Sequence, residues 1–432
     1  MATKTVDSVR KELKLALDQS TGGALSPESL EKHIVDIIQR LIPVLDQIKI
    51  VEATGAVHQF NRRTILPLGR FEGEGADSAS QESTTVRAQV ALKIMRLVGG
   101  VYGFTDAASR AFIDAYEAEL FATARGLGMM METAIHFGNA SADQYQFDGF
   151  DKLIANRFDI GANGTLAHLD AMLDVITRNG GRKHQLLIEL SPELLSHFSR
   201  LDPVIRKTVT EAPYAGGVRM ASYRQAIMVE ASGTRPITSM GAIVIADGGV
   251  PGSLTPGSTY RYRVSVVTVD GEQWASDMVS REAPEDPNSS LKLSWSAFPN
   301  AISYKIFRDN GDGETLTHLT TIAAITYNAK GTPIGTVTSW TDTGAIAYSS
   351  TNDRPMLAAD KDEMMFCIDL DQDDGCEIAA LRSTSGQKLS SLVTYEELAK
   401  TKDAREFMLK TYLALAVKNP NLHAVSRRVR IE

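Results

Sequence analysis

The residues best suited to chemistry are an acidic run near the C-terminal quarter of the chain. The run "DLDQDDG" places Asp369, Asp371 and Asp373 at the first, third and fifth positions of a calcium-binding loop. The glycine that such a loop needs comes one residue late, at Gly375, and Ala380 stands where the bidentate glutamate belongs. The sequence therefore predicts a solvated turn between two strands and no metal site.

The cysteines and histidines do not form a recognisable site. Eight residues separate Cys367 from Cys376, and no CxxC pair or nearby histidine completes a zinc site, so we expect packing thiols in a reducing compartment. The eight histidines are scattered, and none stands at ligand spacing from another. GxSxG, HExxH and GxxxxGK[ST] motifs are absent from the sequence. We therefore predict a protein that is not an enzyme and has no catalytic residues, cofactor or metal.

Length and charge restrict the possible partners. The 432 residues suffice for two or three domains. The net charge is −8 and no long run of Lys or Arg occurs, so tight nucleic-acid binding is not expected, although the protein could enclose nucleic acid. The sequence has no apolar run of membrane-spanning length and no secretory signal pattern at its start, so we expect no membrane association.

The first part of the chain predicts a helix and a long hairpin. Residues 26–43 have the caps and spacing of an amphipathic helix. "VHQFNRRTILPL" (57–68) and "TTVRAQVALKI" (84–94) have strand character and flank a loop of glycine, serine and charged residues. Because the tip offers little apolar surface to its own domain, we expect the hairpin to move freely or to lie on a neighbour.

An α/β region is predicted to follow. Helical spacing extends over 105–137, and a second helix, "GTLAHLDAMLDVITRNGG", ends at a glycine pair. "HQLLIEL" is a buried strand, and the next helix, "SPELLSHFSRL", is capped by Ser191. "GVRMASYRQAIMVEAS" and "GAIVIAD" are expected to add strands to the same sheet. Near the C-terminus, "DAREFMLKTYLALAV" (403–417) is predicted to be a helix that leads into a final strand.

Between these segments lies a region rich in Thr, Ser, Gly, Tyr and Val, which predicts an all-β sandwich. The stretch "SLKLSWSAFPNAISYKIFRD" resembles fibronectin type III and related immunoglobulin-like modules. The expected core residues of this sandwich are Tyr260, Tyr262, Val264, Trp295 and Tyr304. Its glycine-, serine- and proline-rich linkers suggest a separately melting insert that transmits little structure to its host. Replacement of 250–345 by a glycine–serine linker should then still allow the host to assemble.

The order of these parts resembles the major capsid proteins of tailed bacteriophages, which have the Hong Kong 97-like fold. "FTDAASRAFIDAYEAELFATARGLGMMMETAIHFGN" is similar to the spine helix of that family, and "KHQLLIELSPELLSHFSRL" to its axial-domain strand and helix. "TYLALAVKNPNLHAVSRRV" is similar to the closing helix and strand. The resemblance implies an α+β fold with an inserted all-β immunoglobulin-like sandwich.

The resemblance also implies a domain plan. It comprises an N-terminal arm (1–55), an extended loop (56–90), a peripheral domain (91–150 and 385–432), an axial domain (151–246 and 350–384) and the inserted domain (247–349).

The function implied by the resemblance is that of a major capsid protein. Such a protein assembles in the bacterial host cytoplasm into an icosahedral virion shell of hexamers and pentamers around a double-stranded DNA genome, which it encloses without sequence-specific binding. A separate scaffolding protein and a portal protein are the expected partners. The insert would project outward for surface attachment, including weak glycan binding, or for contact between capsomers. Arg62, Arg63 and Arg70 on the hairpin are candidates for salt bridges to a neighbouring subunit.

Three alternatives remain open on the sequence. The same fold could form an encapsulating nanocompartment shell rather than a virion. A surface adhesin with a glycan-binding module would also explain the β region, and an enzyme with an appended binding module is the third possibility. Shells seen by electron microscopy would exclude the adhesin and the enzyme. Nucleic acid inside those shells would exclude the nanocompartment.

Overall fold

A computed structural model confirms the mixed α+β class. It describes residues 43–71, 74, 80–109, 114–201, 221–286, 289–309, 315–346, 353–371, 373–381, 387–388, 392–399 and 403–431. Most of the helix predicted over 26–43 therefore lies outside the described residues. No helix in the described part of the chain has the length and hydropathy needed to cross a membrane.

Six α-helices are described. They are α1 (Pro43–Gln47), α2 (Gly103–Ser109), α3 (Ala115–Phe137), α4 (Phe150–Leu153), α5 (Leu166–Arg178) and α6 (Pro192–Leu201).

Strands make up most of the described secondary structure. The first nine are β1 (Ile50–Ala53), β2 (Val57–Ile65), β3 (Thr84–Ala91), β4 (Lys93–Tyr102), β5 (Asn156–Asn163), β6 (Leu186–Leu190), β7 (Ala221–Tyr223), β8 (Ala226–Glu230) and β9 (Ile243–Asp247). The next nine are β10 (Thr259–Thr268), β11 (Gly271–Glu272), β12 (Val279–Glu282), β13 (Leu291–Trp295), β14 (Ala301–Asp309), β15 (Leu316–Ala323), β16 (Ile325–Tyr327), β17 (Pro333–Thr336) and β18 (Ser339–Asp342). The last six are β19 (Glu363–Asp369), β20 (Cys376–Leu381), β21 (Gln387–Lys388), β22 (Thr394–Glu397), β23 (Ala404–Val417) and β24 (Ala424–Arg430).

The chain divides into two compact units. The described residues of the smaller unit belong to Gly99–Ala122 and Glu397–Phe407, and the larger unit contains the rest of the described chain. Within the smaller unit, Tyr116 packs edge-on against Phe407 with ring centroids 5.4 Å apart, and the Arg405 guanidinium lies 3.9 Å from the centre of the Tyr116 ring. An aromatic pair with one stacked cation thus supplies the contact among these short segments.

The larger unit contains a six-stranded sheet in the order β5-β24-β19-β6-β8-β7. Its strand β6 is buried at every position, as a strand covered on both faces must be. Helices α5 and α6 contribute Leu169, Leu173, Leu194 and Phe198 to the apolar cluster on this sheet. The Ser191 hydroxyl accepts a hydrogen bond from the Leu194 amide at 3.0 Å, which confirms the predicted cap of α6.

A second sheet, in the order β1-β20-β23-β22-β21 with β4 also on β23, corrects one prediction. Residues 403–417 were expected to be helical, but they contain the fourteen-residue strand β23. The buried side chains Phe407, Leu409, Thr411 and Leu413 stand two residues apart, which is the period of a strand. Alanine, leucine and methionine favour helices locally, but pairing with β20 and β4 decides the structure of this segment.

The long helix expected over 105–137 appears as two segments. Helix α2 ends at Ser109, α3 begins at Ala115, and residues 110–113 are not described. The Asp114 carboxylate accepts a hydrogen bond from the Glu117 amide at 3.0 Å, which is the geometry of an N-cap. A new helix therefore starts here, because the Asp114 side chain satisfies an amide that a continuous helix would bond internally.

The domain plan does not follow the sheets at the C-terminus. Strand β24, which the plan placed in the peripheral domain, lies between β5 and β19 in the six-stranded sheet. Strand β20, which the plan placed in the axial domain, pairs with β23. The chain thus passes from one sheet to the other at the acidic turn after β19 and returns after β23.

The β-rich insert consists of two sheets and a small hairpin. The larger sheet has the order β11-β10-β14-β15 with β12 on β10, the smaller has the order β18-β13-β9, and β16 pairs with β17. The segment "GAIVIAD" was expected in the α/β sheet, but its strand β9 pairs with β13, placing Ile243 opposite Trp295. We call residues 243–342 the β module. Because β9 belongs to it, the module begins before the boundary at 247.

Candidate functional site

The hairpin of β2 and β3 forms a two-stranded sheet of its own, and this confirms the predicted hairpin. The strands pair from Val57 opposite Ala91 to Ile65 opposite Thr84, with a bulge after Arg63. The paired arrangement continues past the strands, where the Leu68 amide donates to Gln81 Oε1 at 3.0 Å. An isolated two-stranded ribbon is marginal in water, so this hairpin needs support from elsewhere.

Large apolar side chains on the outer half of the hairpin face solvent. Ile65, Leu66 and Leu68 are 57%, 62% and 76% exposed, and Phe71 is fully exposed. The glycine and serine content of the hairpin tip does not reveal this group. The signal lay in "TILPLGRF", where four large apolar residues fall within eight positions.

The base of the hairpin is fixed to its own chain by Arg62. The Arg62 guanidinium donates to the carbonyl oxygens of Lys418 and Val417, each at 2.6 Å, and lies 5.2 Å from the centre of the Phe60 ring. His58 adds a contact of 2.8 Å between Nε2 and Glu377 Oε1. These contacts hold Arg62 within its own subunit. The side chains of the other two candidates, Arg63 and Arg70, are exposed.

The five predicted core residues of the β module lie on its two main sheets. Tyr262, Val264 and Tyr304 are buried on the larger sheet, and Trp295 is buried on the smaller one. The Trp295 and Tyr304 rings stand 5.1 Å apart. Tyr260 is partly buried against the same cluster. The immunoglobulin-like assignment of the module stays a prediction.

The opposite face of the larger sheet is also buried, which the sequence analysis did not foresee. On β10, Tyr262 and Val264 face the module core, whereas Val267 belongs to the apolar core of the host. Ser265 and Lys305 on this opposite face are 0% and 6% exposed. A free-standing sandwich would solvate this face. The host covers it instead.

Charged side chains meet at this junction between module and host. The host supplies Asp151 from α4, Arg157 from β5, Asp353, and Arg427 from β24, while the module supplies Glu272 from β11 and Lys305 from β14. We call these six residues the junction cluster. Its three cations and three carboxylates balance in charge, and no side chain among them is more than 11% exposed.

Two ion pairs of the junction cluster cross between module and host, Lys305–Asp151 and Arg427–Glu272, and the other pairs among the six residues lie within one of the two. Lys305 Nζ lies 2.5 Å from Asp151 Oδ2 and 2.6 Å from Glu272 Oε2. Arg427 Nη2 lies 2.6 Å from Glu272 Oε1, and Arg157 Nη2 lies 2.8 Å from Asp151 Oδ1. Burial by itself would raise the pKa of Asp151, but Lys305, Arg157 and Arg427 outweigh it and hold that pKa well below its usual range. Arg427 and Lys305 lower the pKa of Glu272 in the same way. Asp151 in the host and Glu272 in the module are therefore both charged at neutral pH.

Neutral contacts reinforce this junction. The Trp274 indole donates to the Asp362 carbonyl at 3.0 Å, and the Ala275 amide donates to the Met356 carbonyl at 2.9 Å. At the turn between β10 and β11, Gly271 has φ +87°, and a Cβ there would lie 2.1 Å from the Gly233 carbonyl oxygen. The expectation that the module transmits little structure to its host is therefore wrong.

The remaining candidate residues are structural. The Asp369 and Asp371 carboxylates accept hydrogen bonds from the amides of Asp371 and Asp373, at 2.9 and 3.0 Å, so the acidic run forms the turn predicted between β19 and β20. Burial raises the pKa of both Cys367 and Cys376, and both are free thiols. A different group, Glu132, His136 and Glu189, has the side chains that could bind a metal ion, and it is considered below.

A buried acid at the start of β19 predicts a pH-dependent stability. Burial raises the pKa of Glu363 from 4.5 to about 7, although the Ser191 hydroxyl and Arg235 act in the opposite direction. The folded chain then holds this proton more tightly than the unfolded chain, so the free energy of unfolding falls as pH rises from 4.5 to about 7. A shift of this size corresponds to about 3 kcal/mol, and Glu363→Gln should reduce by that amount the decline in urea unfolding measured across the window, to which Glu132 and Asp369, with pKa values raised to about 7 and about 6, also contribute.

The matched control for this prediction is Glu193→Gln. Glu193 pairs with the same Arg235 but is half exposed, so the decline should persist in that variant. An unchanged decline in Glu363→Gln would show that another group carries the pH dependence.

Comparison with known proteins finds similar solved structures only. No protein-family model matches the chain, and no curated protein matches its sequence. The chain is similar to the holo-SrpI encapsulin complex of Synechococcus elongatus, with 9% identity, TM-score 0.48, and 100% of this chain and 97% of that one covered. It is also similar to the capsid of a native GTA particle, with 11% identity, TM-score 0.47, and 96% and 98% covered. The capsid structure of cyanophage P-SCSP1u gives 9% identity, TM-score 0.47 and full coverage of both chains.

Proposed function

We propose that this chain is a capsid subunit that assembles with copies of itself into a closed shell. The observation that carries the proposal is the hairpin of β2 and β3, whose base is fixed to its own subunit while its outer half presents Ile65, Leu66, Leu68 and Phe71 to solvent. Such a group exposed together marks an interaction site.

A second copy of the chain suits this hairpin better than an unrelated partner. Burial of each large apolar side chain stabilises a contact by about 1.5–3 kcal/mol, and every copy offers both a hairpin and the surface that receives it. Such head-to-tail contacts close into rings or shells when the rotation between subunits permits. Arg63 and Arg70 would then pair with acidic groups of the neighbour. Hexamers and pentamers are the capsomers that this proposal implies.

The proposed cargo is a double-stranded DNA phage genome, enclosed without sequence-specific binding in a virion assembled in the bacterial host cytoplasm. The net charge of −8 supports a container that does not grip its contents. A separate scaffolding protein and a portal protein belong to the same proposal. The second candidate function is a nanocompartment shell, and nuclease-protected DNA inside purified particles would separate the two.

The β module is proposed to lie on the outer surface of the shell. Val244 on its smaller sheet and Ile334 on its small hairpin are 64% and 66% exposed, and the solvent-facing side of the smaller sheet is the proposed outer side. Attachment to host or environmental glycans, or contact between capsomers, would use this side.

Electron microscopy of hairpin variants tests the proposal. The purified chain should form closed particles, and the triple variant Leu66→Ser, Leu68→Ser, Phe71→Ser should lower particle yield more than about tenfold, since 1.4 kcal/mol is worth a factor of ten. The melting temperature of the unassembled subunit should stay unchanged, because these side chains are already exposed. The matched control, Phe121→Ser with Ile237→Ser, removes apolar groups of similar exposure outside the hairpin and the β module and should still assemble.

Two outcomes would contradict the proposal. The first is a wild-type chain that stays monomeric under assembly conditions. The second is a triple variant that forms particles as well as the control does.

A further inference from the structure

Three side chains with metal-ligand chemistry meet inside the host core. Glu132 and His136 stand one turn apart on α3, and Glu189 comes from β6. One potential ligand atom from each lies within 4.8 Å of the others. His136 and Glu189 are 5% and 0% exposed. The spacing of the histidines relative to one another does not reveal this group. Glu189 is also 53 residues from His136, so no local motif joins them.

The two nitrogens of His136 have different roles. Nδ1 lies 2.9 Å from the Glu132 main-chain carbonyl oxygen, which can only accept, so Nδ1 carries a proton. Nε2 faces Glu189 Oε2 at 2.6 Å. Histidines that bind metals commonly donate one ring N–H to a carbonyl, which fixes the ring and directs the other nitrogen at the ion. His136 has this arrangement.

The Glu189 carboxylate is incompletely satisfied. Its Oε2 contacts His136, but its Oε1 is buried and has no hydrogen-bond partner among the described residues. The rings of Phe137, Phe150 and Phe366 lie around His136 with centroids 5.1–6.0 Å away. An unsatisfied buried acceptor is costly, and a bound cation would remove that cost.

Glu132 supplies a second carboxylate. Its two oxygens accept from the amides of Val44 and Leu45 at 3.4 and 3.3 Å, which are long hydrogen bonds. The side chain can therefore move toward His136 without the loss of a strong contact. Two carboxylates and an imidazole that releases its Nε2 proton to solvent when the ion binds would together balance the charge of one divalent ion.

We propose that Glu132, His136 and Glu189 form a binding site for a divalent transition-metal ion of the Zn²⁺ or Co²⁺ type. His136 Nε2 and one oxygen of each carboxylate are the ligands, a combination of nitrogen and oxygen donors that suits such ions. Because both atoms would bind at about 2.0–2.2 Å, the contact of Nε2 with Glu189 Oε2 must open to about 3 Å. The bound ion would join α3 to β6 and stabilise the fold.

The metal content of the full-length protein tests this inference. The chain is produced in minimal medium supplemented with Zn²⁺ or Co²⁺, loosely bound ions are removed with a chelator, and metal per chain is measured by mass spectrometry. We expect a stoichiometry near one ion per chain and, for Co²⁺, the visible absorption of a bound ion with nitrogen and oxygen ligands. A wild-type protein that carries no ion after this treatment overturns the site, and the contact is then an imidazolium–carboxylate pair only.

Variants assign the ion to these residues. Glu189→Gln and His136→Gln should each lower the metal content at least about tenfold, because outer-shell changes alone already cost that much. The matched control is His58→Gln. It removes the half-buried pair of His58 with Glu377 and should leave the metal content unchanged. Equal metal content in Glu189→Gln and wild type refutes the assignment. If either variant does not fold, the stoichiometry and spectrum of the wild-type protein still decide.

Discussion

Replacing Arg427 with methionine should destabilise the chain by about 3–5 kcal/mol, since loss of one partner leaves an uncompensated buried charge. Arg427 is the least exposed cation of the junction cluster, and its guanidinium lies 2.6 Å from Glu272 and 3.5 Å from Asp151. Methionine keeps much of the volume but not the charge. The free energy of unfolding in urea, followed by circular dichroism, gives the measurement.

The control is Arg281→Met, which breaks the pair between Arg281 and Asp247 at the module surface. That pair has the same chemistry at 2.8 Å, but its side chains are 42% and 58% exposed. Its loss should cost less than about 1 kcal/mol. Equal losses in Arg427→Met and Arg281→Met would show that the junction cluster contributes no more than surface charge.

A double variant tests whether charge balance causes the loss. Arg427→Met combined with Glu272→Gln removes one cation and one carboxylate, so the four charged residues that stay are again balanced. The double variant should be more stable than the sum of the single variants predicts, by about 0.5–3 kcal/mol, because the two residues are in contact. A strictly additive result would locate the damage in packing rather than in charge.

Excision of the β module should prevent the rest of the chain from folding. Replacement of 243–342 by a glycine–serine linker removes Glu272 and Lys305 from the junction cluster, and the host then has Arg157 and Arg427 facing Asp151 and Asp353 across an open face. It also removes Val267 from the host core. We expect an insoluble or molten chain, recognised by lost near-ultraviolet circular dichroism and by binding of a hydrophobic dye.

A milder variant keeps this prediction testable if excision yields no protein at all. Leu293→Ala leaves a cavity in the module core, where Leu293 is 0% exposed, and should cost about 2–5 kcal/mol. Because the junction cluster couples the module to its host, the larger unit should melt in one calorimetric transition that moves as a whole. Two transitions, of which Leu293→Ala lowers only one, would establish an independent module.

Local sequence determined the elements whose side-chain pattern needs no distant partner. Strand β6 was predicted from a continuous apolar run, and the cap of α6 from Ser191 before Pro192. The hairpin was predicted from two strand-like segments around a polar loop, and both strands are present. In each case the relevant interaction lies within a few residues, or follows from the simple fact that apolar side chains avoid water.

Tertiary structure decided the segments where local preference and pairing disagree. Residues 404–417 contain many helix-forming residues, yet they form β23 because neighbouring strands satisfy their amides and carbonyls. "GAIVIAD" has the same strand pattern in either sheet, and only its pairing with β13 assigns it to the module. Helix propensities differ by less than about 1 kcal/mol per residue for these residue types, which a ladder of strand hydrogen bonds with buried side chains exceeds.

Tertiary structure alone also formed the two clusters on which the predictions depend. Asp151 meets Lys305 across 154 positions and Arg427 across 276, and neither neighbourhood in the sequence contains a sign of its partner. In the sequence, a single charged residue in a strand, such as Lys305, cannot be distinguished from a charged residue on a solvent-exposed face. Such a residue becomes structural because folding removes water from its charge. A charge without water requires an opposite charge in contact. That loss of water is a property of the packed fold, and the amino-acid order does not display it.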